Sequence, residues 1–169
     1  MNKFFILVFI TIVSTFSLNA QKVGYINSQE ILTSLPEVKQ ANSDIDVMKG
    51  MFQKKGEEMV KELQIKYQDL QQKQTGGTLA PIEIEKQAAA LKAEEAKVGE
   101  FEQTSQQKIM EKSEELLKPI QDRVNKAIKD VATENGFLYI FDSGMGVVLY
   151  ADPAADATKL VKAKLGITP

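Results

Sequence analysis

The residues able to do chemistry are few in kind. His and Cys are absent from all 169 residues. The commonest general base, the commonest metal ligands and the thiol nucleophile are therefore missing. Carboxylates are plentiful at Glu94-Glu95, Glu100, Glu102 and Glu114-Glu115. Two such acids could in principle share acid–base work or hold a divalent ion. Lys residues are interspersed among them, and that mixture reads as a solvated helix face. Gly144-Met145-Gly146 starts like a glycine-rich phosphate loop, but it has no third glycine and no helix after it, so it reads as a turn. The sequence assigns no catalytic residue, no cofactor site and no metal site, and an enzyme is not expected.

The methionines are the remaining candidates. Met48, Met51 and Met59 lie near Phe52 in one stretch, and Met110 lies in another. Methionine adapts to irregular surfaces and recurs at promiscuous binding sites. Met48 and Met59 fall in an apolar seam, where packing is the first reading. Met51 falls beside the seam, where packing and contact with a bound protein are both open.

The elements that must position these residues are mostly helical. Val23-Gly24-Tyr25-Ile26 reads as a short strand. Asn27, three residues before Glu30, marks a helix start, and Ser34 with Glu37 marks another. Pro36 is tolerated in a first turn, so a short helix, a bend and a long helix are expected. Val38, Ala41, Ile45, Met48 and Phe52 are spaced three and four apart. The stripe skips a step at Lys55-Gly56 and resumes at Met59, Leu63, Tyr67 and Leu70. Such spacing forms one apolar seam along a helix, as in a coiled coil. Gly50 and Gly56 each weaken it by about 1 kcal/mol relative to Ala.

Thr75-Gly76-Gly77-Thr78 and Pro81 end this helix and restart another. From Ile82 to Glu134 good helix formers dominate, with a seam through Leu91, Val98, Phe101, Ile109, Leu116, Ile120, Val124, Ala127 and Val131. Pro119 should kink this helix or end one of its turns. The arms would run roughly 70 and 80 Å at ~1.5 Å per residue, so they should fold back as an antiparallel pair. Asn135-Gly136 ends the second arm. Phe137 to Phe141 and Val147 to Tyr150 read as a β-hairpin. Asp152-Pro153 should open a last helix, with Ala157, Leu160, Val161 and Leu165 on its apolar face and Gly166 closing it.

The N-terminus has its own pattern. Met1-Asn2-Lys3 is short and positive, Phe4 to Phe16 is almost wholly apolar, and Ser17-Leu18-Asn19-Ala20 precedes polar Gln21-Lys22. That order is a secretory signal peptide, with cleavage expected after Ala20. The apolar run is short against the about 20 residues of a spanning helix, so no stable membrane insertion is expected after cleavage. The formal charge is −2, and loss of Lys3 takes it to about −3. An acidic chain with one arginine, Arg123, is not expected to bind nucleic acid.

Taken in order, the chain resembles the Skp (OmpH-like) family of periplasmic chaperones. The resemblance rests on Lys22 to Asn27, on the charged helical middle, and above all on the ending. There Val124 to Ala132 leads into Phe137 to Asp142, then Val147 to Tyr150, then Asp156-Ala157-Thr158 and a final helix. It implies a homotrimer in which short strands of the subunits share a β-barrel body and helical hairpins project around a cavity. It implies ATP-independent holding of unfolded outer-membrane proteins in the periplasm. Members of that family are basic, whereas this chain is mildly acidic, so apolar contacts rather than charge are expected to hold its clients.

The expected fold is thus α+β and mostly helical: a long antiparallel helical hairpin of coiled-coil arms on a small β body, in the order strand, helix, helix, strand, strand, helix. The expected divisions are a signal peptide at 1–20, the β body at 21–35 and 120–169, and the arms at 36–119 with a turn near 75–81. Client contact is assigned to Met48, Met51, Phe52, Met59, Tyr67, Phe101 and Met110. The oligomer body is assigned to Val23, Tyr25, Leu138, Ile140, Val148 and Tyr150. A structural or adaptor coiled-coil protein of the envelope, binding one folded partner, is the alternative.

Overall fold

A computed structural model describes residues 22–167. The signal peptide expected at 1–20 lies outside the described residues. The elements are β1 (Lys22–Ile26), α1 (Ser28–Ser34), α2 (Pro36–Thr75), α3 (Pro81–Asn135), β2 (Phe137–Asp142) and α4 (Thr158–Lys164). Short 3-10 turns occupy Ser143–Met145 and Pro153–Ala155. The chain divides into two units: Leu35–Asp122, and the described residues on either side of it.

Local chemistry explains most helix ends. The Asn27 side chain accepts from the Glu30 amide at 3.0 Å and starts α1. Ser34 does not cap α2, contrary to expectation: its hydroxyl donates back to the Glu30 carbonyl at 2.7 Å. Leu35 takes the cap position in extended conformation, and Pro36 enters the first turn where no amide partner is needed. α3 runs 55 residues and passes through Pro119 without ending. One missing amide donor removes one rung, and the ladder resumes beyond it. Gly136 adopts φ +68°, the left-handed conformation that stops α3.

The Leu35–Asp122 unit is an antiparallel helix pair. Later residues of α2 meet earlier residues of α3: Phe52 faces Phe101 edge-on at 6.0 Å, and Lys66 donates to Glu94 at 2.6 Å. Of the expected seam, Val38, Ala41, Ile45, Leu70 and Leu91 are buried. Met48, Phe52, Met59, Leu63, Val98, Phe101 and Ile109 are half-buried. A helix with a single neighbour cannot cover more.

The other unit is built on β1. It pairs in parallel with β2, from Lys22 opposite Phe137 to Ile26 opposite Asp142, with an irregularity between Lys22 and Val23. Its other edge meets the chain at Asp156, and the Ala157 amide donates to the Tyr25 carbonyl at 2.8 Å. Ile26, Ile31, Val124, Ala127, Val131, Ala157 and Val161 form the core. Gly24 is required there, because a Cβ would stand 2.7 Å from the Phe137 ring.

Two expectations fail here. The sheet among the described residues has two strands, and Val147 to Tyr150 forms neither a strand nor a hairpin with β2. The turn residues are spent elsewhere: the Ser143 hydroxyl donates to the Ile26 carbonyl at 2.9 Å, and Asp142 accepts from Ser28. These bonds draw the chain onto β1 and α1 instead of folding it back along β2. Asp152-Pro153 opens a 3-10 turn, with Asp152 accepting from the Ala154 amide at 2.9 Å. α4 starts only at Thr158, whose amide is capped by Asp156 at 2.8 Å. Ala157 and Val161 are buried as expected, but Leu160 is exposed, and Thr158 takes a buried place instead.

Candidate functional site

Three of the carboxylates singled out have partners on the helix pair. Glu94 pairs with Lys66, Glu95 accepts from the Tyr67 hydroxyl at 3.3 Å, and Glu115 pairs with Lys112. Burial and the Glu95 carboxylate raise Tyr67 above its ordinary value. The Gly144 amide donates to the Asp142 carboxylate at 2.9 Å, which makes its glycines part of a turn. Among the described residues no group of His, Cys, Asp or Glu is placed to hold a metal ion.

The first surface of interest lies along α2 and α3 within Leu35–Asp122. At mid-length the seam lacks side-chain volume on both helices. Gly56 stands in the α2 seam with no side chain, and buried Ser105 stands in the α3 seam. A cleft of about 550 Å³ opens beside them, floored by Phe52, Val60, Phe101 and Ile109. Its size is that of small-ligand clefts. Gln53, Gln64 and Gln106 line its edge, with Lys49, Lys61, Glu57 and Glu102 around them. The skipped step at Gly56 is visible in the sequence. Ser105 was not, because a Ser among Thr104, Gln106 and Gln107 looks like an ordinary polar stretch.

The residues assigned to client contact do not form one patch. Phe52 and Phe101 meet in the cleft. Met48 and Met59 are half-buried in the seam. Met51 and Met110 are exposed, at 68% and 70%, and Tyr67 is exposed beside Glu95. Val47, Ile65 and Ile82 are exposed too and were not foreseen. Isolated apolar residues among charges gave no periodic signal.

The second surface surrounds β2. Of the residues assigned to the oligomer body, Val23, Leu138 and Tyr150 are exposed, whereas Tyr25, Ile140 and Val148 are half-buried. Burial, followed by Asp156 and Asp152, raises Tyr25 above its ordinary value. Tyr139, Phe141, Val147 and Leu149 are exposed as well, the last at 96%. The Tyr139 and Phe141 rings stack on one side of the strand, 6.4 Å apart. Apolar surface left uncovered beside an unpaired strand edge is a candidate surface for contact with another chain.

Fold and surfaces together define a helical-hairpin protein with exposed apolar side chains on both units. The family model of outer membrane proteins of the OmpH-like kind matches residues 22–165, and the chain belongs to that family. A crystal structure from Caulobacter crescentus CB15, provisionally designated an outer membrane chaperone (OmpH-like), superposes with a TM-score of 0.71 at 22% identity. The match covers 89% of this chain and 87% of that one, and it establishes the shared fold. No curated protein matches the chain. No helix among the described residues is long and apolar enough to cross a membrane.

Proposed function

We propose that this protein is a non-enzymatic, ATP-independent holdase of the periplasm that binds unfolded outer-membrane β-barrel proteins and prevents their aggregation. The observation that carries the reading is the helix pair, on which Val47, Met51, Ile65 and Met110 are each more than half exposed. Scattered apolar contacts on a weakly buried pair suit unfolded chains, which have no fixed shape to match. Membership of the OmpH-like family supports the reading, as does the signal-like N-terminus. The neighbour's designation as a chaperone extends to this chain only as part of the proposal.

The same reading takes the working form as a homotrimer. The outer edge of β2 has no strand partner among the described residues, and Val147 to Tyr150 lies uncovered nearby. Strands shared between copies would cover both.

The test is light scattering as a urea-unfolded outer-membrane barrel is diluted with and without the protein, with no nucleotide. Suppression is expected, and removal of Glu37 to Glu115 should abolish it. Protection that survives removal of the arms would overturn the proposal. Unchanged scattering with the complete protein would also overturn it and favour an envelope adaptor with one folded partner.

A further inference from the structure

We infer that the cleft at Gly56 and Ser105 is a receptor for single uncharged aromatic side chains of an unfolded polypeptide. This rests on the holdase reading and adds a discrete site to it. Other hollows on the pair, beside Gln68 to Gly76 and beside Met110 to Asp122, are lined mainly by polar and charged side chains. At Gly56 and Ser105 both helices give up side-chain volume along one cleft. Gly56 supplies no side chain, Ser105 supplies a small one, and the walls are two phenylalanine rings already set edge to face. Another ring can join such a pair by the same edge-to-face geometry.

Charge selects the occupant. The rim carries Lys49 and Lys61 against Glu57 and Glu102, a net of zero, so neither an anionic nor a cationic group is drawn in. Across Leu35–Asp122, 17 Asp and Glu stand against 13 Lys, which further disfavours an anionic lipid. Gln53, Gln64 and Gln106 offer both donors and acceptors at the edge. Those are the groups that the backbone amides flanking an inserted side chain require. A neutral floor, a balanced rim and amide-bearing edges fit a peptide with an aromatic residue.

The protein contains no Trp, so a tryptophan peptide can be followed by its own fluorescence. The probe is an acetylated and amidated Ser-Gln-Trp-Gln-Ser pentapeptide, with an Ala-centred counterpart as unlabelled competitor. A blue shift on titration with the purified protein is expected, with no competition from the Ala peptide. Gly56→Leu and Ser105→Leu, which fill the cleft from opposite helices, should each weaken binding about tenfold, the value of one well-buried apolar contact. Leu160→Ala, an exposed apolar residue that does not line the cleft, should leave it unchanged. Circular dichroism melts of both filled variants check that the helix pair persists, and the variant that melts like the parent decides.

Undiminished binding in a filled variant with a parental melt would overturn the inference. So would loss of binding in the Leu160 variant, or binding to phosphatidylglycerol vesicles without binding to the peptide. Absence of peptide binding while barrel aggregation is still suppressed would overturn the cleft alone. Absence of both would overturn the holdase reading with it.

Discussion

Asp142 holds the start of α1 from across the sheet: its carboxylate accepts from the Ser28 amide at 3.1 Å and from the Ser28 hydroxyl at 2.5 Å. The same carboxylate accepts from the Gly144 amide. One side chain at the end of β2 thus fixes a helix that begins 114 residues earlier. Asp142→Ala would leave those donors without their partner. A loss of about 1–2 kcal/mol is expected, measured by urea unfolding.

The same contact sets a pH dependence. Partial burial pushes the Asp142 carboxyl up, but the bonds from Ser28 and Gly144 outweigh it and hold it below its ordinary value. A depressed carboxylate contributes stability above its unfolded value of about 3.9, and that stability is lost as the pH falls through the folded value. Asp142→Asn should therefore lose less stability than the parent when unfolding is compared at neutral pH and below about pH 4. Parallel curves would show that the carboxylate does not contribute.

Gly24 and Gly56 should respond oppositely to alanine. At Gly24 the new Cβ would strike the Phe137 ring at 2.7 Å, in the middle of the paired strands. A loss of about 1–3 kcal/mol is expected. At Gly56 the nearest atom outside the helix backbone is Phe101 Cε1 at 3.8 Å, an ordinary contact. There the gain in helix propensity should raise stability by about 0.5–1 kcal/mol. Thermal melts of the two variants against the parent read both.

The ion pair between Lys66 and Glu94 spans α2 and α3, with side chains 49% and 40% exposed. Water and salt screen a pair so placed. A double-mutant cycle should return a coupling of about 0.2–1 kcal/mol that shrinks in high salt. A much larger value would mean that the pair fixes the register of the two helices.

Replacing Tyr139 and Phe141 by Ser tests the proposed assembly. Their rings are exposed in the single chain and stack along β2, so their loss should cost little within the subunit. Sedimentation should then show a lower mass than the parent. An unchanged mass would place the contact between copies elsewhere.

Most of the helical architecture was already determined by the sequence. The bond from the Glu30 amide to Asn27, the Pro at the start of α2, the left-handed Gly136 and the apolar seam all join residues within about one turn, so their signals sit side by side in the chain. The skipped step at Gly56 belongs with them. Tertiary structure alone decided which strand meets which. Phe137 to Phe141 and Val147 to Tyr150 look like neighbours in a hairpin, yet β2 takes a parallel partner that ends before α1 begins. A strand's side chains state which face is apolar but not which backbone will complete its ladder. For the same reason the sequence did not show that Asp142 serves Ser28, that Phe137 needs a glycine at 24, or that Gly56 and Ser105 open one cleft. Each depends on two residues brought together only after the helices have folded back and the strands have met.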